Sequence, residues 1–160
     1  LEELTVYQNL WYNARLCLDG HTGEQLNEFV ETLLSELDLY EARDLKVGSP
    51  LNKYISGGQR KRLNIALELI REPYILFIDE PTSGLSSTDS ENVMLLLKEQ
   101  AMKGKLLVVN IHQPSSDLFK LFDHLIVLDE GRFPGFQGRL VSSFTVLQYH
   151  FSLSERPAVL

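Results

Sequence analysis

The sequence predicts an α/β protein in which a helical stretch is followed by a parallel sheet. Three observations lead there. Apolar residues recur at helical spacing up to about residue 54, and beyond the pair Gly57-Gly58 helical segments alternate with short apolar runs. The chain also has 160 residues and is 44% hydrophobic, enough to bury a core. Helices alternating with short, wholly apolar runs are the pattern of a parallel sheet.

Taken in order, Thr5-Val-Tyr-Gln8 fits a capping box, and Val6, Leu10, Ala14 and Cys17 follow at i+4 and i+3 spacing. This predicts an amphipathic helix ending near Gly20, with Trp11 and Tyr12 packing against neighbours. From Gly23 onward, Leu26, Phe29, Val30, Leu33, Leu34 and Leu37 form a second helical stripe, which stops before the charged stretch 40–46. Further helices are expected over about Gln59–Ile70, over Ser87–Met102, where Thr88-Asp-Ser-Glu91 has the form of a cap, and briefly after Pro114. Between them Tyr74–Ile78, Leu106–Ile111 and Leu125–Leu128 are too short for helices and are bounded by turn or charged residues, so they read as buried strands. Gly131 and Pro134-Gly135 close the last of these, a short strand or loop follows, and a helix is expected near Phe144–Phe151.

Composition narrows the function. Acidic residues outnumber basic ones 22 to 15, for a net charge of −7, and the longest cationic run is Arg60–Lys61–Arg62. Nucleic acid is therefore disfavoured as the main partner. The lone Cys17 has no second thiol for a disulfide or a shared metal, which suits a reducing compartment and a role as small core filler. No apolar run reaches about 18 residues and no charged-then-apolar leader is present, so any membrane partner is expected to be another segment or chain. The chain opens at Leu1 directly into a helical pattern, as an excised fragment would.

Three places carry chemistry. Tyr74-Ile-Leu-Phe-Ile-Asp79-Glu80 is an apolar run ending in two adjacent carboxylates, stopped by Pro81. In open α/β sheets ligands bind at that strand edge, although a structural salt bridge is the plain alternative. Neighbouring side chains on a strand point opposite ways, so Asp79 is placed to reach a metal and Glu80 a water. Ile55-Ser56-Gly57-Gly58-Gln59 precedes a helix whose N-terminus offers free N–H groups and a positive dipole end, and its glycines permit close approach of a ligand. Alone, such a pair is more often an ordinary loop. His112 follows the strand Leu106–Ile111 on the same sheet edge as Asp79 and Glu80, where an imidazole can donate to a phosphate oxygen. His21, His124 and His150 read as structural.

In this order, Ile55–Gln59, the strand ending at Asp79-Glu80, Ser83-Gly84-Leu85 and His112 resemble the motif series of ABC ATPases, over about residues 5–138. Gly58-Gln-Arg-Lys-Arg62, Asp79-Glu-Pro-Thr-Ser-Gly-Leu85 and Asn110-Ile-His-Gln-Pro-Ser115 look most like the G subfamily, the White and pleiotropic-drug-resistance type, or its bacterial relatives. The resemblance implies a helical subdomain over residues 1–54 that leans on a membrane-spanning domain. It also implies the C-terminal part of a RecA-like P-loop NTPase sheet over residues 55–160, working at the cytoplasmic face of a membrane. By the same resemblance Ser56, Gly57, Gly58 and Gln59 are the signature loop, which contacts the γ-phosphate of ATP held by the opposite subunit of a dimer. Asp79 supports Mg2+, Glu80 orients or deprotonates the attacking water, and His112 touches the γ-phosphate. Phosphoryl transfer needs positioning and charge neutralisation more than covalent chemistry, and such groups supply both.

Two departures stand out. The phosphate loop G-x-x-x-x-G-K-S/T appears nowhere in the chain. Without it the chain by itself is expected not to hold Mg-ATP tightly, and we expect the loop upstream. Ser86 stands where the family usually has an aspartate that helps couple the two ATP sites, which puts that coupling in question, and Asp89, one turn later, is a weak candidate to compensate. Besides a transport ATPase, the motifs permit a soluble ABC ATPase of repair or translation, which the acidic balance disfavours. They also permit a degenerate partner-binding half, against which intact Glu80 and His112 argue.

Overall fold

In the computed structural model, residues 1–49, 51–111, 114–129, 132–138 and 144–149 are described, their side chains through His124. They fall into two units, Leu1–Pro73 with Gly84–Leu96, and Tyr74–Ser83 with the chain from Leu97 onward.

The first unit is helical. Helix α1 (Val6–Cys17) starts at Thr5, whose hydroxyl accepts from Gln8 N while the Gln8 side chain accepts from Thr5 N, so the expected capping box is present. Helix α2 (Gly23–Glu36) opens with the same device at Thr22 and Gln25, a cap that the sequence reading passes over. The two helices pack together, burying Val6, Leu10 and Ala14 of one and Leu26, Val30, Leu33 and Leu34 of the other. Each Val or Leu so removed from water contributes about 1.5–3 kcal/mol. Beside this seam, Asn27 of α2 accepts from the Tyr7 hydroxyl at 2.9 Å and from Trp11 Nε1 at 2.7 Å. Cys17 is half-buried and not core, because it lies beyond Ala14, the last buried position of α1. Its thiol donates to Asn13 Oδ1 at 3.3 Å, and its sulfur accepts from Arg71 Nε at 3.4 Å.

After a 3-10 turn over Tyr40–Ala42, the chain runs back along its own start. Val6 N donates to Leu45 O, Tyr7 N to Arg43 O and Val47 N to Leu4 O. Gly48 closes this strap at φ +70°, where an added Cβ would lie 2.2 Å from Asn52 O, so only glycine fits. Helix α3 (Gly57–Leu69) is fixed to the strap by Arg60, which donates to Val47 O and Gly48 O, both at 2.8 Å. Arg62, buried, pairs with Asp38 just past the end of α2 at 2.7 Å. Two of the three side chains in the cationic run thus turn onto their own unit.

Helix α4 spans Ser87–Met102, as expected, but its cap sits earlier than Thr88. Ser86 Oγ accepts from Asp89 N at 3.1 Å and donates to Asp89 Oδ2 at 3.0 Å. Residues through Leu96 belong to the first unit, and those from Leu97 to the second. Because α3 goes with α1 and α2, this partition by packing cuts the chain elsewhere than at 54/55.

Among the described residues the second unit is built on one sheet of five strands: β1 (Ile75–Asp79), β2 (Leu106–Asn110), β3 (His124–Asp129), β4 (Arg132–Gly138) and β5 (Phe144–Tyr149). Their order is β1-β2-β5-β3-β4; neighbours are parallel except for β4, antiparallel on β3. A short helix, α5 (Ser116–Phe119), follows Pro114 and is capped by Ser115. Lys98 of α4 donates to both carboxylate oxygens of Asp123, at 2.8 Å each, just before β3.

The sheet departs from expectation twice. Residues 144–149 are a strand and not the expected helix near Phe144–Phe151. The run Phe-Thr-Val-Leu-Gln-Tyr is aromatic and β-branched, and pairing with β2 on one side and β3 on the other overrides a weak helical period. Nor is β1 a buried strand. Leu76 is buried, but Tyr74, Ile75 and Phe77 are 87%, 52% and 76% exposed: Ile75 and Phe77 share one face of the strand, which among the described residues is left largely open, and β1 is also outermost in the sheet. Among the described residues no helix is long and apolar enough to cross a membrane.

Candidate functional site

Ser56 is the N-cap of α3, with φ −66° and ψ 164°. Its hydroxyl accepts from Gln59 N at 3.1 Å, and Gln59 Oε1 accepts from Ser56 N at 2.8 Å. The box uses two of the first-turn N–H groups and leaves those of Gly57 and Gly58 without a partner among the described residues. Two open donors at the positive end of a helix make a place for an anion. Ser56 and Gly57 are exposed, Gln59 is half-buried and Gly58 is buried. With its carbonyl committed to the cap, Gln59 has only its amide NH2 to offer outward.

At the end of β1, Asp79 lies in register with Asn110 of β2, and Asn110 Nδ2 donates to Asp79 Oδ1 at 2.7 Å. The amide fixes the carboxylate's orientation and leaves Oδ2 for another ligand. Among the described residues no group of three or more His, Cys, Asp or Glu could hold a metal ion. One oriented carboxylate nonetheless fits Mg2+, which keeps several waters and takes its remaining ligands from substrate phosphates. Asn110 is the site residue that the sequence reading missed, although a polar side chain ending an apolar strand beside Asp79 is a usable signal.

Glu80 lies outside the strand. Its backbone is left-handed, with φ 44°, its N–H donates to Asn110 O at 2.9 Å, and its carbonyl accepts from Ser83 N at 3.3 Å. This turn, and not alternation along β1, is what parts Glu80 from Asp79. A left-handed backbone costs a non-glycine residue about 1–2 kcal/mol. His112 and Gln113 lie outside the described residues; Ile111 before them is buried. Ser56–Gln59 belongs to the first unit, and Asp79, Glu80 and Asn110 to the second.

The family described as "ABC transporter" matches residues 1–83, a span that includes Ser56–Gln59, Asp79 and Glu80. The chain belongs to the ABC transporter family. Among relatives, the rat broad substrate specificity ATP-binding cassette transporter ABCG2 is 41% identical over 158 residues, covering 97% of this chain and 24% of the rat protein. ABC transporter G family member 28 of Arabidopsis thaliana is 42% identical over 136 residues, covering 84% of this chain and 12% of that protein. The chain thus spans a quarter or less of these ABC transporters. Among solved structures, the dimeric post-hydrolysis state of the ATP-binding cassette MJ0796 bound to ADP and Pi superposes with TM-score 0.68 at 26% identity. That match covers 86% of this chain and 58% of the other. The ADP conformation of MJ1267, an ATP-binding cassette of an ABC transporter, gives TM-score 0.69 at 25% identity over 87% of this chain and 57% of that one. The fold is therefore part of a RecA-like ABC ATPase domain, and the chain is ABC transporter ATP-binding sequence, related to G-type members.

Proposed function

We propose that this chain is the signature-to-switch half of an ATP-hydrolysing domain whose closure on nucleotide drives a G-type ABC transporter. The observation that carries this reading is the pair of open Gly57 and Gly58 N–H groups at the capped start of α3, in a chain that also presents an oriented Asp79 beside Glu80. The N–H groups, with Ser56 and the Gln59 amide, bind the γ-phosphate of ATP held by a second nucleotide-binding domain. Asp79, steered by Asn110, holds Mg2+. When bound, that ion neutralises charge building on the phosphate oxygens. Glu80 orients the attacking water or takes its proton, and His112 donates to the γ-phosphate. Residues 1–54 form the helical subdomain that leans on a membrane-spanning domain, and residues 55–160 belong to the RecA-like core, at the cytoplasmic face of a membrane. Lacking a phosphate loop, these 160 residues by themselves are inactive.

The test is Glu80→Gln in the full-length protein. ATP binding is expected to persist while hydrolysis falls by about two to four orders of magnitude, the span of a lost general base or water-orienting group. Turnover close to wild type would remove Glu80 from the mechanism.

A further inference from the structure

Both glycines at the start of α3 are backed by the stretch that leads into α4. An added Cβ at Gly57 would lie 3.2 Å from Leu85 Cδ2. One at Gly58 would lie 2.9 Å from Asp89 Oδ1, 3.1 Å from its Cγ and 3.3 Å from its Cβ. The Asp89 carboxylate is half-buried and held by Ser86, whose hydroxyl donates to Oδ2 while accepting from Asp89 N. A fixed negative charge therefore rests against the turn that carries the open Gly57 and Gly58 donors.

We propose that Asp89 is a positioning residue of this site: held by Ser86, its carboxylate braces the first turn of α3 and moderates that turn's attraction for phosphate. Two physical effects follow from the one contact. The carboxylate fills the space a side chain at residue 58 would need, so the glycine answers to Asp89 as well as to any ligand. Its charge also offsets part of the positive potential at the helix N-terminus, weakening the pull on a second anion. The second effect rests on the function proposed above, whereas the brace does not.

Two measurements on the full-length protein separate these. Without nucleotide, amide hydrogen exchange over residues 56–62 is expected to be at least about threefold faster in Asp89→Ala than in wild type, the turn having lost its support. With ATP, Asp89→Asn keeps the size of the side chain and removes its charge. KM for ATP is then expected to fall by about two- to fivefold with kcat within twofold, the range of a charge at a helix end. Unchanged exchange in Asp89→Ala overturns the brace. A KM that stays put in Asp89→Asn, or a loss of kcat that merely tracks a lower melting temperature, overturns the electrostatic role. Glu80→Gln measured alongside keeps the two failures apart. If that variant turns over like wild type, it is the functional reading that falls, while the exchange result still decides the brace.

Discussion

At the scale of single residues, the site depends on side chains that hold other side chains. Asn110 is the plainest case, because Asp79 can present one oxygen in a fixed direction only while the amide grips the other. In the full-length protein, Asn110→Ala is expected to weaken the response of ATPase activity to Mg2+ by about tenfold to a hundredfold, the usual loss when a ligand's supporting hydrogen bond goes. A Mg2+ titration that superposes on wild type would show that Asp79 needs no such help. The sequence singles out Ser56, Gly57, Gly58, Gln59, Asp79 and Glu80 as candidates because each lies at a break between a helix or strand and a turn, where composition changes sharply. Asn110 escaped because its part comes from a partner 31 residues away, Asp79, and Asp89 was noticed only as a neighbour of Ser86, its place against Gly58 lying 31 residues back along the chain. A pattern read along the chain weighs neither distance in space nor the direction of a hydrogen bond.

At the scale of elements, legibility followed the strength of the local signal. Helices α1, α2, α3 and α4 each had a cap or a repeating apolar stripe, and their observed spans lie within a few residues of those expected. The segment 144–149 had a weak helical period and a composition that suits strands, and its state is set by β2 and β3 on either side. Exposure of β1 was illegible for a related reason: an apolar run says that a strand wants cover, not whether cover is there. The seam between α1 and α2 offers the stability test. Leu34 is fully buried, and Leu34→Ala is expected to cost about 2–5 kcal/mol, read as a lower unfolding midpoint in denaturant. A loss under about 1 kcal/mol would mean that the two helices contribute little to holding the first unit together.

At the scale of the whole molecule, this chain matches 24% of the length of the rat transporter and 58% of the MJ0796 structure, and it contains no phosphate loop. Among the described residues its five-stranded sheet ends in β1, where Ile75 and Phe77 on one face, with Tyr74 just before the strand, lie in solvent. An outermost strand with apolar side chains and unpaired backbone groups is a template for another strand. Expressed by itself, the 160-residue chain is therefore expected to associate as its concentration rises and to show no ATP binding tighter than about 1 mM, as read by sedimentation and by calorimetry. A monomer that binds ATP at micromolar concentration would show that these residues suffice without the loop.

The left-handed backbone at Glu80 bears on how this position changes over generations. Glycine adopts that conformation without strain, so a substitution there relieves the fold while discarding the carboxylate on which turnover is proposed to depend. Selection for thermal resilience and selection for the proposed hydrolysis then pull residue 80 in opposite directions. A lineage released from the need to hydrolyse ATP would drift toward glycine at this place sooner than at its neighbours, leaving a recognisable scar in descendants that have kept the architecture and lost the engine.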